Sequence, residues 1–96
     1  MKIVILPSAR DDLAVGFAFY EHQGEGLGSY FLNSLFSDID SFRLYAGVHR
    51  KVFGYHRLLS KRFPYSAYYS VELETIVVRA VLDCRRDPKW MRRKLK

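Results

Sequence analysis

The stretch that most constrains the fold runs from Tyr65 to Pro88 and reads YSAYYSVELETIVVRAVLDCRRDP. Aromatic, small and β-branched residues alternate over Tyr65–Val71, which predicts a strand, because side chains repeat with a period of two along a strand. A second apolar run follows Leu73–Thr75, which predicts a second strand joined to the first by a tight turn. Because both faces of the second strand are largely apolar, we expect it inside a sheet rather than at its edge.

One basic residue, Arg79, interrupts the apolar run of the second strand. Strict alternation gives this strand one face with Ile76, Val78, Ala80 and Leu82 and another with Val77, Arg79, Val81 and Asp83. Asp83 lies four residues after Arg79 on the same predicted face, so it is the carboxylate expected to pair with Arg79 in a structural role. The strand leads into Cys84, which we interpret as a buried strand-end residue, with a reactive thiolate beside Arg85 and Arg86 as the alternative.

Composition and length exclude several classes of protein. The chain is 49% hydrophobic and 27% charged, as ordinary globular proteins are, and its 96 residues predict one domain spanning 1–96. The longest apolar run near the start, Ile3–Leu6, is too short to cross a membrane, so no membrane association is expected. A single cysteine excludes an internal disulfide and fits a reducing cytosol, which predicts a cytoplasmic protein. His22, His49 and His56 lack the spacing of metal ligands, so neither a metal nor a cofactor is expected.

The net charge of +6 is unevenly distributed along the chain. Residues 1–84 hold nine Lys or Arg and nine Asp or Glu, whereas residues 85–96 hold seven Lys or Arg and one Asp. Residues 43–62 carry six basic and no acidic side chains, and residues 1–42 carry two basic and six acidic ones. Such a field favours an anionic partner, either a nucleic acid or an acidic protein, on the basic side.

The order of predicted elements indicates the fold class. In chain order these elements are a strand at Lys2–Leu6, a helix from Ser8 to Gln23, a helix from Ser29 to Tyr45, a loop at Ala46–Phe53, a strand at Tyr55–Leu59 and the two strands described above. Ser8 and Asp11 resemble a capping box at the start of the first helix. The cluster Gly24–Gly28 follows a helix, so we interpret it as a connector, since a nucleotide-binding loop would follow a strand.

This order, β-α-α-β-β-β with a basic C-terminal tail, predicts an α+β fold. The compact solution is a helical hairpin packed on one face of a small, mainly antiparallel sheet. The other face of the sheet, or its rim, is then expected to be open for a partner.

A group of basic residues near the predicted sheet is the main candidate for chemistry. It comprises Arg57, Lys61, Arg62, Arg79, Arg85 and Arg86. Guanidinium groups bind phosphate in bidentate fashion, and with the nearby tyrosines they could bind RNA by charge and stacking. A solvated basic face above core tyrosines is the alternative, and composition does not separate the two. The chain contains no nucleophile motif of the Ser-His-Asp kind, so no catalytic residue is assigned.

Several segments together resemble a known toxin family. They are ILPSARDDLAVGFAFYE, GLGSYFLNSLFSDI, FGYHRLLSKRFPYSAYYSVE and VLDCRRDP, and they cover nearly the whole chain. With the element order, they resemble the ParE branch of the RelE/ParE superfamily, most specifically in KRFPY, then YY and V, and finally RRDP at the end of the last strand. The resemblance implies a small bacterial or plasmid-stabilising toxin, neutralised by a co-encoded antitoxin that lies across its surface. RelE-type members cleave mRNA on the ribosome, whereas ParE-type members target DNA gyrase.

Compared residue by residue, the chain favours the ParE branch. Aligned on the strand segment Tyr69–Val71, it keeps basic residues at Arg57 and Arg86, but it has Leu59 and Ser66 where RelE-type members carry basic groups. No tyrosine follows this segment, so the tail tyrosine of the ribonucleases is missing. RNA cleavage needs a proton acceptor, a proton donor and stabilising charge. The resemblance therefore implies a non-enzymatic toxin that binds gyrase. The alternatives are a ribosome-dependent mRNA endoribonuclease with a reorganised site and a decayed member that binds only its antitoxin.

We predict that the basic tail contacts the target of the toxin. Exposed ion pairs contribute little stability, so charge concentrated at residues 85–96 is better suited to steering and holding an anionic target. Trp90 and Met91 are expected to anchor the tail on the core. The residues predicted to bind the target are Arg57, Arg79, Arg85, Arg86, Trp90, Arg92 and Arg93.

Overall fold

Residues 2–95, which the computed structural model describes, form five strands and four helices. The elements in chain order are β1 (Lys2–Ile5), α1 (Pro7–Gln23), α2 (Leu27–Asp40), α3 (Phe42–Tyr45), β2 (Lys51–Val52), β3 (Tyr55–Leu59), β4 (Tyr65–Glu72), β5 (Thr75–Asp83) and α4 (Pro88–Lys94). This confirms the predicted α+β class and the order of the main elements. Two short elements, α3 and β2, are additional, and the basic tail forms a helix.

The five strands form one sheet in the order β1-β5-β4-β3-β2. Strands β2 to β5 pair antiparallel with their neighbours, whereas β1 runs parallel to β5, with Lys2 opposite Thr75. The sheet is therefore mainly antiparallel, as predicted. β5 lies between β1 and β4, which confirms that the most apolar strand is internal.

α1 and α2 form a hairpin that covers one face of the sheet. Phe31, Leu35 and Ile39 recur at helical spacing along α2, and all three are buried in the main core. The two helices approach closely at a glycine, since a Cβ atom on Gly28 would lie 2.8 Å from the backbone oxygen of Phe17. A larger residue at this position would push the helices apart, because a backbone atom cannot move aside as a flexible side chain can.

The predicted capping box of Ser8 and Asp11 is wrong. Leu6 is the residue that caps α1, Pro7 lies in the first turn, and no side chain caps the helix. Proline is favourable at this position because its fixed φ angle suits a helix and its missing N–H would have no helical partner. The other end of α1, at Gln23, is where the sequence predicts it.

Two side chains in the first turns of α1 form hydrogen bonds to the backbone at the edge of β5. Pairing between β1 and β5 ends at Val78. Beyond that point, the hydroxyl of Ser8 donates to the backbone carbonyl of Arg79 at 3.1 Å. Farther along, Oδ2 of Asp12 accepts from the backbone N–H of Val81 at 3.0 Å. Half-buried backbone groups need such partners, so the side chains of α1 replace the missing strand.

A β-bulge changes which side chains of β5 share a face. The register between β4 and β5 shifts between Tyr68, which lies opposite Ala80, and Tyr69, which lies opposite Val78, so that Arg79 is the extra residue. Because side chains alternate with a period of two, one extra residue moves all later side chains to the other face. The prediction of strict alternation is therefore wrong. The hairpin side receives Ile76, Val78 and Val81, and the opposite side receives Ala80 and Leu82.

The second helix is shorter than predicted. In place of one helix over Ser29–Tyr45, α2 ends at Asp40 and α3 begins at Phe42. The hydroxyl of Ser41, between them, donates to the backbone carbonyl of Asp38 at 2.5 Å. A serine that bonds back to the preceding turn favours a bend in a helix, which accounts for the break at this residue.

The predicted loop over Ala46–Phe53 contains a strand. β2 pairs with the start of β3 across Phe53 and Gly54, whose φ angles are 57° and 87°. Two positive φ values in a two-residue turn match the twist of a hairpin, but a phenylalanine is unusual in that conformation. This hairpin therefore lacks the Asn-Gly type of signal by which such turns are found in sequences.

The basic tail forms α4 because its first residues suit a helix start. Asp87 is the capping residue, and its Oδ1 accepts from the backbone N–H of Lys89 at 2.8 Å. Pro88 follows in the first turn, as it does in many helices. Three basic residues lie in the last turn, where the partial negative charge of the helix end favours cations.

α4 covers part of the second face of the sheet. Met91 and Leu95 are buried in a second apolar cluster with Tyr68. The expectation that this face is open is therefore wrong over that area. Trp90 packs beside the cluster but is only partly buried, so Met91 and Leu95 are the main anchors of the tail.

Candidate partner-binding surface

Three arginines lie over aromatic rings on the side of the sheet that carries α4. The distances from guanidinium carbon to ring centre are 5.7 Å for Arg79 and Tyr55, 5.4 Å for Arg92 and Phe53, and 3.9 Å for Arg86 and Trp90. Stacking on a ring restricts an arginine, so its N–H groups can meet an anion with less loss of conformational freedom. We call these six residues the arginine surface.

Arg79 pairs with Glu72 and not, as predicted, with Asp83. Its Nη2 lies 2.5 Å from Oε2 of Glu72 and 3.4 Å from the hydroxyl of Ser70. The reason is the bulge, which places Asp83 on the other face of the sheet. The Nε atom of Arg79 is buried and has no hydrogen-bond partner within residues 2–95. Arg79 is thus held by Glu72 and Ser70 beside Tyr55, within the arginine surface.

Arg85 is held by Asp83 at the end of β5. Its Nε and Nη2 donate to the two carboxylate oxygens of Asp83 at 3.0 and 2.8 Å. These hydrogen bonds hold the pKa of Asp83 below its usual range and raise the pKa of Arg85. A bidentate pair of this kind occupies the edge of the guanidinium that would bind another anion. Arg85 is therefore less available to a partner than its neighbour Arg86.

Arg57 and Arg93 complete the set of predicted binding residues. Arg57 is half-buried on β3 directly opposite Tyr68 of β4, so both lie on the side of α4. Burial raises the pKa of Tyr68, and the charge of Arg57 opposes that rise. Arg93 is exposed on α4. The side of α4 thus brings together Arg57, Arg79, Arg86, Trp90 and Arg92.

Ser66 and Leu59, at which the resemblance to the RelE branch leads one to expect basic groups, lie in different environments. Ser66 is fully buried, and its hydroxyl lies 2.8 Å from Sγ of Cys84. Leu59, at the end of β3, is 56% exposed and contributes no charge. A phosphate has no access to the buried hydroxyl. Cys84 itself is exposed, so the prediction of a buried cysteine is wrong.

An apolar groove on the helical hairpin is a second candidate surface. It has a volume of about 610 Å³ and is lined by six apolar residues and one charged residue, namely Ile5, Leu13, Ala14, Phe17, Leu32, Phe36 and Arg10. Phe36 is 45% exposed although it is a large apolar residue. Grouped apolar side chains at a surface mark a site of contact with another molecule. Leu13 is 3% exposed and belongs to the main core, whereas Phe17 is only partly buried, so the groove adjoins the core.

A pair of histidines, which the sequence did not single out as functional, surrounds Tyr69. The hydroxyl of Tyr69 contacts Nδ1 of His49 and accepts from the backbone N–H of Gly47 at 3.0 Å. His56 stacks on Tyr69 with ring centres 5.1 Å apart, and its Nδ1 lies 2.6 Å from the carbonyl of His49. Burial and the nearby His56 lower the pKa of His49. This cluster joins the segment before β2 to the main core, and its charge depends on pH.

The layers described above define the fold: a helical hairpin on one side of a mixed sheet and a short C-terminal helix on the other. No family model matches the chain, and no curated protein matches it. Among solved structures, the chain is similar to a chain of the chromosomal ParDE TA system from P. aeruginosa. The TM-score is 0.69, the sequence identity is 18%, and the match covers 84% of this chain and 92% of that one. The likeness confirms the expected ParE-like fold.

None of the helices within residues 2–95 combines the length and the apolar character that crossing a membrane requires.

Proposed function

We propose that this protein is the toxin of a type II toxin–antitoxin system, that it inhibits DNA gyrase in the cytoplasm, and that a cognate antitoxin neutralises it. The observation that carries the proposal is the likeness of the fold to a chain of the ParDE TA system, at a TM-score of 0.69. The segments that resemble ParE toxins support it. The two candidate surfaces lie on opposite sides of the sheet, so each is available to a different protein partner.

The apolar groove on the hairpin is the proposed antitoxin site. An amphipathic helix that lays its apolar side into a groove is a common mode of recognition. Acidic residues of the antitoxin would then meet the basic stretch 43–62, which holds six Lys or Arg and no Asp or Glu. This mode needs no chemistry from the toxin, only complementary shape and charge.

A measurement of antitoxin affinity against salt concentration tests this arrangement. Screening weakens exposed charge pairs, so affinity is expected to fall as ionic strength rises. Phe36→Asp should abolish binding, because it places a charge in the apolar groove. Leu73→Asp, at an exposed apolar residue outside both the groove lining and the stretch 43–62, is the matched control. Affinity that does not change with salt would contradict the electrostatic part of the proposal.

The arginine surface is the proposed contact with gyrase. Its guanidinium groups are held on rings, which suits binding to carboxylates or phosphates of a large target. The buried Ser66 and the missing tail tyrosine speak against RNA cleavage. We therefore assign the protein an inhibitory binding role and no reaction of its own.

Two assays separate the functions. In the first, purified toxin is added to a gyrase supercoiling reaction, and inhibition that the antitoxin reverses is expected. In the second, the toxin is added to a translation extract and the mRNA ends are mapped, and no codon-phased cuts are expected. Ribosome-dependent cuts that disappear with Arg57→Ala or Arg86→Ala would establish the ribonuclease instead. Antitoxin binding with neither activity would indicate a decayed member.

A pair of charge variants locates the gyrase contact. Arg92→Gln combined with Arg93→Gln should reduce supercoiling inhibition and growth inhibition, while the melting temperature stays almost unchanged, because both residues are exposed. Lys2→Gln removes a charge at an exposed residue of β1, outside both candidate surfaces, and is the matched control. Full toxicity of the double variant would show that Arg92 and Arg93 are not needed, and the contact with the target would then be sought around Arg57 and Arg79.

A further inference from the structure

A cleft between α1 and α4 lies beside the arginine surface. Its volume is about 420 Å³, with Val15 and Phe19 of α1 and Trp90 of α4 among its lining residues. Asp12 and Lys94, joined by an ion pair of 3.5 Å, also line it. This volume is near the lower end of ligand sites in proteins. The cleft therefore has room for one or two side chains of a partner rather than for a whole helix.

Two apolar side chains of α1 in the lining of the cleft are largely exposed. Val15 is 70% exposed and Phe19 is 47% exposed. Tyr65 is only 7% exposed as a whole residue, and its side chain lines the cleft. Burial, with the nearby charge of Asp83, raises the pKa of Tyr65 to about 12, so the hydroxyl keeps its proton at neutral pH. A neutral phenol in the lining of a cleft has an O–H group that can donate to a bound molecule.

One charged group at the cleft lacks a partner of opposite sign. The groups that are paired are Asp12 with Lys94 and Asp83 with Arg85. Arg86 forms no ion pair with any residue in the range 2–95, and its guanidinium lies over the ring of Trp90. The cleft thus combines an apolar space with one unpaired positive charge.

We propose that this cleft binds a short acidic segment of a protein partner, with an aromatic side chain of the segment between α1 and α4 and the adjacent carboxylate on Arg86. The aromatic ring covers the exposed parts of Val15 and Phe19, and the hydroxyl of Tyr65 donates to a backbone carbonyl of the segment. This inference deepens the proposed function and rests on it in one respect, namely that the ligand belongs to a protein partner.

The charges at the cleft favour a peptide over a nucleic acid strand. Phosphates repeat along a strand, so a strand on Arg86 would also bring phosphates toward the carboxylates of Asp12 and Asp83. A segment with a single carboxylate next to an apolar side chain avoids that repulsion. It also matches the single unpaired charge with a single anion.

The cleft contains its own spectroscopic reporter, because Trp90 is the only tryptophan of the chain. The probe is the peptide acetyl-Gly-Phe-Asp-Gly-amide, titrated into the full-length protein while Trp90 fluorescence is recorded. Saturable change is expected. The Asn analogue of the probe should bind about fivefold more weakly, since an exposed charge pair contributes up to about 1 kcal/mol. The Ala analogue in place of Phe should bind too weakly to detect.

Three variants assign the binding to the cleft. Val15→Asp should abolish the fluorescence change, and Phe19→Ser does the same test should Val15→Asp fail to fold. Arg86→Gln should remove the difference between the Asp and Asn probes but keep the binding of both. Lys89→Gln, at an exposed lysine of α4, is the matched control and should behave as the unchanged protein.

Two results would overturn the inference. One is the absence of any saturable change with the Asp probe, or equal binding of the Asp and Asn probes. The other is saturable binding of oligo(dT) that Val15→Asp abolishes, which would assign the cleft to a nucleic acid. The titration contains neither antitoxin nor gyrase, so its failure leaves the supercoiling result, and with it the proposed function, unaffected.

Discussion

The two faces of the sheet are covered in different ways. On the hairpin side, α1 and α2 supply 31 residues of helix, and Phe31 and Leu35 are completely buried beneath them. On the other side, α4 has seven residues, of which only Met91 is buried, and Leu95 directly after the helix is buried as well. Much of the remaining area carries arginines laid over aromatic rings. The difference indicates that the hairpin side holds the fold together, whereas the side of α4 keeps charged groups in position for a partner.

The largest expected effect is on the hairpin side. Phe31→Ala should lower the free energy of unfolding by about 3–5 kcal/mol, because it leaves a cavity in the main core. Urea unfolding measures this loss. Tyr30→Ala changes the neighbouring residue, which is 48% exposed, and should cost less than about 1 kcal/mol. Similar losses for the two variants would show that the hairpin core does not dominate stability.

The same test on the side of α4 should give a smaller loss. Met91→Ala is expected to lower the free energy of unfolding by about 2 kcal/mol, at the low end for a buried methionine, because Met91 lies at the margin of a small cluster. Lys89→Ala, at an exposed position of the same helix, is the control. A loss as large as that of Phe31→Ala would remove the distinction between the two faces.

The stability of the folded protein should depend on pH because of the histidine cluster around Tyr69. The pKa of His49 is lowered in the folded protein, so protonation opposes folding. Its contribution to stability is fully present above about pH 6.5, the usual pKa of histidine, and decreases as pH falls below that value. Unfolding between pH 7.5 and 5.5 should therefore show falling stability, and His49→Gln should reduce the slope. The control is His22→Gln, at an exposed residue of α1. An unchanged slope in His49→Gln would assign the pH dependence elsewhere.

The smallest effects concern the arginines of α4. Arg86→Ala should lower the free energy of unfolding by about 0.5–1 kcal/mol, since it removes the stacking on Trp90. Arg93→Ala should change stability by less than about 0.5 kcal/mol, because this side chain is exposed. Thermal melting of both variants tests the difference. Equal stabilities would mean that stacking positions Arg86 without stabilising the fold.

The sequence predicts the main strands and the hairpin because each has a clear apolar period. It does not predict the bulge at Arg79. A register shift depends on how β5 pairs with Tyr68 and Tyr69 of β4, and the alternation of residues within β5 does not show it. It also misses β2, because Phe53 adopts a positive φ angle that is unusual for its residue type.

The candidate surface is predictable only in part. The basic tail and the aromatic residues can be recognised in the sequence, but the pairing of Arg79 with Glu72 follows from the bulge. The anchoring of α4 had an unused signal, namely Asp87-Pro88 at a helix start and Met91 and Leu95 four residues apart. The α1–α4 cleft depends on how two distant helices meet, and local sequence carries no such information.

The parallel pairing of β1 with β5 has a consequence for the newly made chain. Lys2 lies opposite Thr75. β1, the first strand to be synthesised, therefore cannot pair until β5, the last strand, has been made. At about 5–20 residues per second, this interval lasts roughly 4–15 seconds. Contacts this distant in sequence also slow folding itself. During the interval the helical hairpin is complete but has no finished sheet beneath it, so its apolar residues are exposed to any chaperone or partner that is present at the ribosome.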